Sequence, residues 1–551
     1  MIRGLQTQRE SEGGIHPVED LGRESTGARS QPDRWDGSSI DPVDLATRLA
    51  GGVWGHLVGD AVGVPYEFRS AAAIVADGPV RFGATGTYGV PPGTWSDDGA
   101  LMLALLDSLL TNGFDLEDQG RTALAWRQRG EYTPDRVVFD IGNTTSQALD
   151  AIAAGTPAAN AGPTDEYSCG NGSLMRILPI ALVERDLLDT ALADNAWRAS
   201  RVTHGHPSAQ IACSMYTLIA MRLLAGERDR PAALRYAAEW HRSSRSISAR
   251  SSDEVDDEAW RAALDHLLAQ RDEPHGGHGR VWDSFWSAWN AFAGAATYQQ
   301  AIERAIAYGN DTDTTAAIAG GLAGIYWGID GIPAEWRAGM RGPEVVDPLV
   351  DRLLATAGWH TSTTNPIRVD WVDLSSVPAL RGVAETGGRL GMTFLPGKQR
   401  DGWSGLHWRT LSTDVARLRE KHGTDTFLLL VEDHELVAAR VPDIADAMAD
   451  AGIELIRFPI PDMDVTRDRD GLRAVLDDVL ARLAGGQSVV VACRGGLGRT
   501  GTIVACLLRD GGLGGEDAIL LTRASRHDTI ERGTQVDFVH AWEWPPREAR
   551  S

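Results

Sequence analysis

The hydrophobic period of this chain changes once, near residues 361–366 (TSTTNP). Before that point apolar residues recur at helical spacing, through 101–110, 211–224, 260–268 and 316–325; after it, short apolar runs alternate with helical segments. Sequence patterned for helix-on-helix packing and sequence patterned for a covered sheet bury their apolar faces differently, so the chain must build two cores. Its 551 residues also exceed the roughly 250–300 at which single cores stop growing. From 42 to about 359, Ala is abundant and β-branched alternation scarce, which predicts a mostly or wholly α-helical domain. Polar stretches at 244–258 and 270–280 read as loops inside it. Further on, 426–431, 454–459 and 488–492 read as strands and 412–421, 442–451 and 469–484 as helices, predicting an α/β domain with a mainly parallel central sheet. Residues 1–40 carry few large apolar side chains and are expected to form a disordered leader. The expected division is a leader at 1–40, a helical domain at 41–360, a linker at 361–368 and a smaller α/β domain at 369–546.

Composition narrows the function classes. No run of about 18 apolar residues is present, so no membrane span is expected. A formal charge of −23 argues against general affinity for nucleic acid or anionic membranes, and any phosphate chemistry must be local. Four cysteines (Cys169, Cys213, Cys493 and Cys506) without CxxC spacing, and no signal-peptide layout, point to a reduced, cytoplasmic compartment.

Three acidic clusters stand in the helical part: Glu67 in GDAVGVPYEF, Ser96-Asp97-Asp98 in GTWSDDGALML, and Asp311-Thr312-Asp313-Thr314 in YGNDTDTTAAIAGGLAG. The second and third open strongly helical runs, where one such residue serves as a cap. A cap needs one oxygen, however, and each of these starts carries two carboxylates and a hydroxyl. Converging carboxylates repel unless a cation neutralises them, and hard oxygen donors suit Mg²⁺ or Mn²⁺.

These residues, with the landmarks GHLVGDAVGVPYE, FDIGNTTSQAL, GNGSLMRILPIAL and THGHPSAQ, resemble the ADP-ribosylglycohydrolases related to the dinitrogenase-reductase-activating enzyme, over about 45–345. The resemblance implies an all-α orthogonal helical bundle in which Ser96, Asp97, Asp98, Asp311, Asp313 and Thr314 bind two divalent ions, with Glu67 near the metals and the scissile bond. It implies that Gly170, Asn171, Gly172 and Ser173 form a loop whose amides face the diphosphate of ADP-ribose, and that His204 lines the ribose side. The general base is either Glu67 or an aspartate such as Asp98. Where the family commonly has Thr-Asp-Asp-Thr, this chain has Gly99 in the last position, one hydroxyl fewer.

In the second domain a strand at 488–492 runs into Cys493-Arg494-Gly495-Gly496-Leu497-Gly498-Arg499-Thr500 and then an apolar helix. A strand, a Gly-rich turn and a helix start make a cradle of backbone N–H groups for an anion, here including Arg494, Gly496 and Gly498. The same positive potential favours a thiolate at Cys493, and Arg499 can fork two phosphate oxygens. The C-x5-R-T spacing is the signature of the protein-tyrosine and dual-specificity phosphatases, and GGRLGMTFLPGKQ with FPIPDMD most resembles the small phosphatases associated with cyclin-dependent kinases, over about 370–545. The resemblance implies Cys493 as nucleophile, Arg499 as phosphoryl binder, Thr500 steadying the leaving thiolate, Asp462 (rather than Asp464) as general acid and Gln535 positioning the water, with no cofactor. Where the family usually has His before the Cys, this chain has Ala492.

A bifunctional hydrolase is therefore expected, removing ADP-ribose and phosphate from proteins or small conjugates. The other reading is a module that binds ADP-ribose or phosphate without turnover, which the departures at Gly99 and Ala492 favour and the intact motifs oppose.

Overall fold

The computed structural model describes residues 40–84, 86–243, 257–402 and 405–543. The expected leader at 1–40 lies outside the described residues except for Ile40, as does most of the expected loop at 244–258.

From Pro42 to Thr356 the regular elements among the described residues are all helical; extended contacts are limited to isolated bridges, Ser70 with Gly309 and Gly170 with Arg280. The helix Pro42–Gly63 starts where Asp41 accepts from the N–H of Val43 and Pro42 supplies a preset φ. It is buried nearly all round because Gly51, Gly55, Gly59 and Gly63 form one stripe along it. That stripe lies directly on the helix Thr312–Trp327, whose Gly320 and Gly324 face it. A methyl group at Gly59 would sit 2.2 Å from the carbonyl oxygen of Ala316, and one at Gly63 2.5 Å from Cα of Asp313. Only glycine allows two helices this close, and the contact carries Asp60 and Glu67 up to Asp311 and Asp313. The other expected helical runs fall within Asp97–Asn112, Pro207–Leu224 and Asp257–Ala269.

Among the described residues the second part is built on eight strands: β1 (His360–Thr361), β2 (Asp370–Trp371), β3 (Arg389–Phe394), β4 (Gln399–Gly402), β5 (Gly405–Trp408), β6 (Thr426–Leu429), β7 (Glu454–Arg457) and β8 (Ser488–Cys493). A five-stranded sheet runs β2-β3-β8-β6-β7, parallel apart from β2, and a smaller one runs β1-β5-β4. β8 is central and fully buried. Val489, Val491 and Cys493 face one apolar layer with the helix Arg469–Ala484, while Val490 and Ala492 face the other, with the helix Leu411–Glu420. The alternating residues of one strand thus fill two cores, as a parallel sheet covered on both faces requires.

Residues 361–368 are tied down at the junction between the two parts. β1 pairs with β5, Arg409 donates to the carbonyls of Thr361 and Asn365, and its guanidinium forms a buried fork with Asp414. Trp359 meets Trp408 edge to face, and Asp330 pairs with Arg440 across the joint.

Candidate functional site

In the helical part, the starts of Asp97–Asn112 and Thr312–Trp327 point at one another. Asp60, in the middle of the first helix, accepts from the N–H groups of Ser96 (3.0 Å) and Gly99 (2.8 Å) and so holds the Ser-Asp-Asp turn in place. Asp98 Oδ2 accepts from the hydroxyls of Ser96 and Thr314, both at 3.2 Å. Asp311 Oδ2 accepts from Asn171 Nδ2 at 2.7 Å. One oxygen each of Glu67, Asp140 and Asp313 lie within 4.8 Å of one another. Glu67 Oε2, Asp98 Oδ1 and Asp313 Oδ2 are buried with no hydrogen-bond partner among the described residues.

Burial lifts the carboxyls of Asp97, Asp98 and Asp313 well above the usual carboxylate range, and their mutual repulsion adds to it. Glu67 is pushed up to about 9, by burial and then by the Asp140 carboxylate, and burial lifts Asp60 to about 7. No Lys or Arg forms an ion pair with Asp60, Glu67, Asp97, Asp98, Asp140, Asp311 or Asp313 among the described residues. Buried, repelling and partly unpartnered oxygens of this kind fit divalent cations. The position of Gly99 bears on the missing hydroxyl. A side chain there would project against Leu57 and Trp95, away from the acids, so Gly99 removes no oxygen from the cluster.

The acids open onto a cleft of about 520 Å³ that Glu67, Asp97, Asp140, Asp311, Gly170–Gly172 and His204 line. The loop does not present all its amides: the N–H of Asn171 donates to the carbonyl of Gly279, and the amide side chain of Asn171 is held by Ser284 and Asp311. Ser173 lies behind the loop, fully buried, accepting from Ser200. His204 is buried under Gly170 and Gly172, and burial followed by the charge of Arg176 lowers it to about 3, so the ring is neutral.

In the second part, β8 delivers Cys493 to the mouth of the turn, where its sulfur accepts from the N–H of Gly496 at 3.2 Å. Gly496 has φ +72 and would clash with the carbonyl of Thr393 if it carried a side chain, so the turn requires glycine there. Arg499 is buried and forked by Glu435, at 2.7 and 2.8 Å, and Nη1 also donates to the carbonyl of Ile460. Its Nη2 reaches the half-exposed Asp462 at 2.9 Å, and Nε has no partner among the described residues. The Thr500 hydroxyl is buried without a partner beneath the turn. Gln535 uses Oε1 to cap the N–H groups of Glu531 and Arg532, leaving Nε2 against Gly498. Arg526 braces the turn from outside through the carbonyl of Gly496 and an ion pair to Asp370. Lys398 donates to the carbonyl of Arg494 at 3.4 Å, and burial lowers its ammonium to about 8.

Residues 41–362 match the ADP-ribosylglycohydrolase family. The chain is a member of that family. This ADP-ribosylglycohydrolase also matches, over 410–512, the DSP-PTPase phosphatase of polymorphic toxin systems, so it is a hydrolase with two different hydrolase domains. It is similar to the ADP-ribosylarginine hydrolase Tri1 of Pseudomonas putida (strain GB-1), 28% identical over 339 residues that cover 58% of this chain and 81% of the relative. The ADP-ribosyl-dinitrogen reductase glycohydrolase of Rhodospirillum rubrum is 29% identical over 326 residues, 56% of this chain and 97% of the relative. The second part is similar to cyclin-dependent kinase inhibitor 3 of Rattus norvegicus, 30% identical over 144 residues, 26% of this chain and 61% of the relative. No helix among the described residues is long and apolar enough to cross a membrane.

Asp60, Asp140, Glu435, Lys398 and Arg526 were not singled out from sequence. Asp60 did leave a signal, a carboxylate inside the apolar glycine-spaced run LVGDAVG. Asp140 left only its place in the landmark FDIGNTTSQAL and Glu435 left none, since what makes them matter is a neighbour 73 or 64 positions away.

Proposed function

We propose that the helical domain hydrolyses the bond between ADP-ribose and its acceptor, and the α/β domain hydrolyses phosphomonoesters through a cysteinyl-phosphate. The observation that carries the first reading is the set of three unpartnered buried oxygens on Glu67, Asp98 and Asp313 beside an open cleft. Ser96, Asp97, Asp98, Asp311, Asp313 and Thr314 would hold two divalent ions, Mg²⁺ or Mn²⁺. Bound there, such ions supply Lewis-acid pull on ribose oxygens and make a water more acidic. The chain's own residues do the rest. Gly170–Gly172 and His204 seat the ADP-ribosyl group. Glu67 lines the cleft whereas Asp98 is engaged by Ser96 and Thr314, which favours Glu67 as the proton carrier. With divalent charge beside it Glu67 would be ionised, and its Oε2 would then take the proton of the attacking water as the C1–acceptor bond breaks and return it to the leaving atom, so protons balance. The relative named as an ADP-ribosylarginine hydrolase supports arginine as the acceptor.

In the phosphatase domain Cys493 Sγ attacks phosphorus from within the N–H cradle. Glu435 and Ile460 occupy one side of Arg499, leaving the Nε–Nη2 edge for two phosphate oxygens once Asp462 yields it. Asp462, protonated, gives its proton to the departing oxygen and takes one back from the water that cleaves the S–P bond, Thr500 steadies the thiolate that leaves, and phosphate departs. Substrates would be ADP-ribosylated and phosphorylated proteins or small conjugates.

The test is release of ADP-ribose from an ADP-ribosylated arginine peptide with Mg²⁺, with EDTA, and with Asp313→Ala. Release lost in the last two is expected. Metal-dependent ADP-ribose binding with no release from the peptide would overturn the arginine assignment and move the search to serine-linked substrate.

A further inference from the structure

Arg176, in the segment after the glycine loop, is buried with no carboxylate partner among the described residues. Its Nη2 donates to the carbonyl of Ala199 at 2.9 Å and to Thr203 Oγ1 at 3.0 Å. Thr203 Oγ1 in turn lies 3.0 Å from His204 Nδ1. A guanidinium can only donate, so Thr203 accepts from Arg176. The hydroxyl of Thr203 is fully buried, and among the described residues its proton has one remaining acceptor in reach, His204 Nδ1. If Nδ1 carried the ring proton, that hydroxyl would be left buried and unmet, which costs more than the alternative. A neutral imidazole accepting at Nδ1 carries its proton at Nε2. Nε2 has no partner among the described residues and lies on the cleft side, 3.4 Å and 3.2 Å from where side chains at positions 170 and 172 would begin.

We propose that Arg176 and Thr203 are positioning residues that hold His204 as the single tautomer whose Nε2–H donates to an oxygen of the bound ADP-ribosyl group. The inference rests on the ADP-ribosylhydrolase reading and adds how the specificity of that cleft is set: His204 is a fixed donor, suited to the anionic or carbonyl-like oxygens of a nucleoside diphosphate sugar and unsuited to a donor group in that place. It also gives the two glycines a second purpose, because a methyl at 172 would lie 2.7 Å from Cε1 and push the ring out of the cleft.

The test measures ADP-ribose affinity of the full chain by calorimetry, with Mg²⁺ present, alongside kcat, KM and melting temperature. Thr203→Val keeps the shape and removes the relay; it is expected to weaken ADP-ribose binding about tenfold, the worth of one hydrogen bond, and to raise KM with kcat held. Thr203→Ser restores the hydroxyl and is expected to bind within about twofold of the unaltered chain. In a His204→Gln background, where an amide N–H stands in for Nε2–H and no tautomer exists, Thr203→Val is expected to cost nothing further. Unchanged affinity in Thr203→Val overturns the proposal, as does an equal loss in both backgrounds, which would make Thr203 a packing residue. If the unaltered chain hydrolyses substrate while Thr203→Val is silent, the proposal alone falls. If the unaltered chain neither binds nor hydrolyses, the reading beneath it falls too.

Discussion

Replacing Gly55 by Ala tests whether helix contact at van der Waals closeness is what assembles the acid cluster. The added methyl would start 2.5 Å from the carbonyl oxygen of Gly320 and 2.9 Å from Cα of Gly324, both rigid backbone. Comfortable contact needs about 3.5 Å, so the helices Pro42–Gly63 and Thr312–Trp327 must part by about 1 Å. Alanine gains about 1 kcal/mol of helix propensity over glycine, while overpacking of this kind costs about 1–3 kcal/mol. The expected net is a loss of about 0–2 kcal/mol, a fall of roughly 2–4 °C per kcal/mol in the melting temperature of the helical domain. Function should suffer more than stability. Glu67 rides beyond the end of one helix and Asp313 on the other, and a displacement of about 1 Å can cost about 100-fold in rate. The assay is calorimetric melting together with ADP-ribose release, with phosphatase turnover in the same molecule as internal control. Gly52→Ala is the comparison, because its methyl meets the side chains of Ile325 and Leu182 at 3.0 and 3.3 Å, which can yield. Full stability and full glycohydrolase rate in Gly55→Ala would refute the argument.

Cys493→Ser is expected to abolish phosphate release from para-nitrophenyl phosphate while ADP-ribose release continues, and Asp462→Asn to lower kcat about 10²- to 10⁴-fold with the loss smallest for good leaving groups; loss of both activities in Cys493→Ser would contradict two separate centres. Glu435→Ala leaves the buried Arg499 charge with the half-exposed Asp462 as its remaining carboxylate partner, so a destabilisation of at most about 3–5 kcal/mol is expected in denaturant unfolding, partly restored by added phosphate; a stable variant with normal phosphate affinity would show that Glu435 does not orient Arg499. Asp347, at the joint, is pushed up to about 7 by burial and by Asp351. A carboxyl with a raised folded value contributes stability at low pH and loses it as the pH climbs from about 4 to about 7, by at most about 1.4 kcal/mol per pH unit. Asp347→Asn should flatten that slope in melting temperature against pH, and identical slopes would count against the assignment.

The helical and α/β division was legible because period is a local property, and the runs at 211–224, 316–325 and 488–492 each lie inside a helix or strand of the expected kind. β3 was not legible: Gly391 and Thr393 interrupt its apolar run, and its place beside β8 comes from a pairing about 100 positions away. The motif residues stood out because each packs several unusual side chains into a few positions. Asp140 and Glu435 stand alone in sequence, and only folding brings them to Glu67 and Arg499. The departure at Gly99 illustrates the reverse limit. Sequence shows that a hydroxyl is missing, but not that the side chain at 99 points toward Leu57 and Trp95.

Within a chain of net charge −23, the two centres are unbalanced in opposite directions. The first gathers Asp60, Glu67, Asp97, Asp98, Asp311 and Asp313 without a paired cation among the described residues, and the second surrounds Cys493 with Lys398, Arg494, Arg499 and Arg526, against which stand the carboxylates of Glu435, Asp462 and Asp370 that pair with Arg499 and Arg526. Each imbalance selects a ligand of the other sign. For the proposed phosphatase centre that ligand would be the substrate itself. For the glycohydrolase centre the ligand would be metal, and this resolves a difficulty in the proposed reaction, since a diphosphate cannot approach bare carboxylates. The proposed cations offset the acids on one side of the cleft, and Arg176, buried behind the glycine loop without a carboxylate of its own, leaves the other side positive. An anionic substrate can then bridge the two. Binding of ADP-ribose and binding of metal become linked quantities, each strengthening the other, because the same carboxylates repel the first until the second has neutralised them.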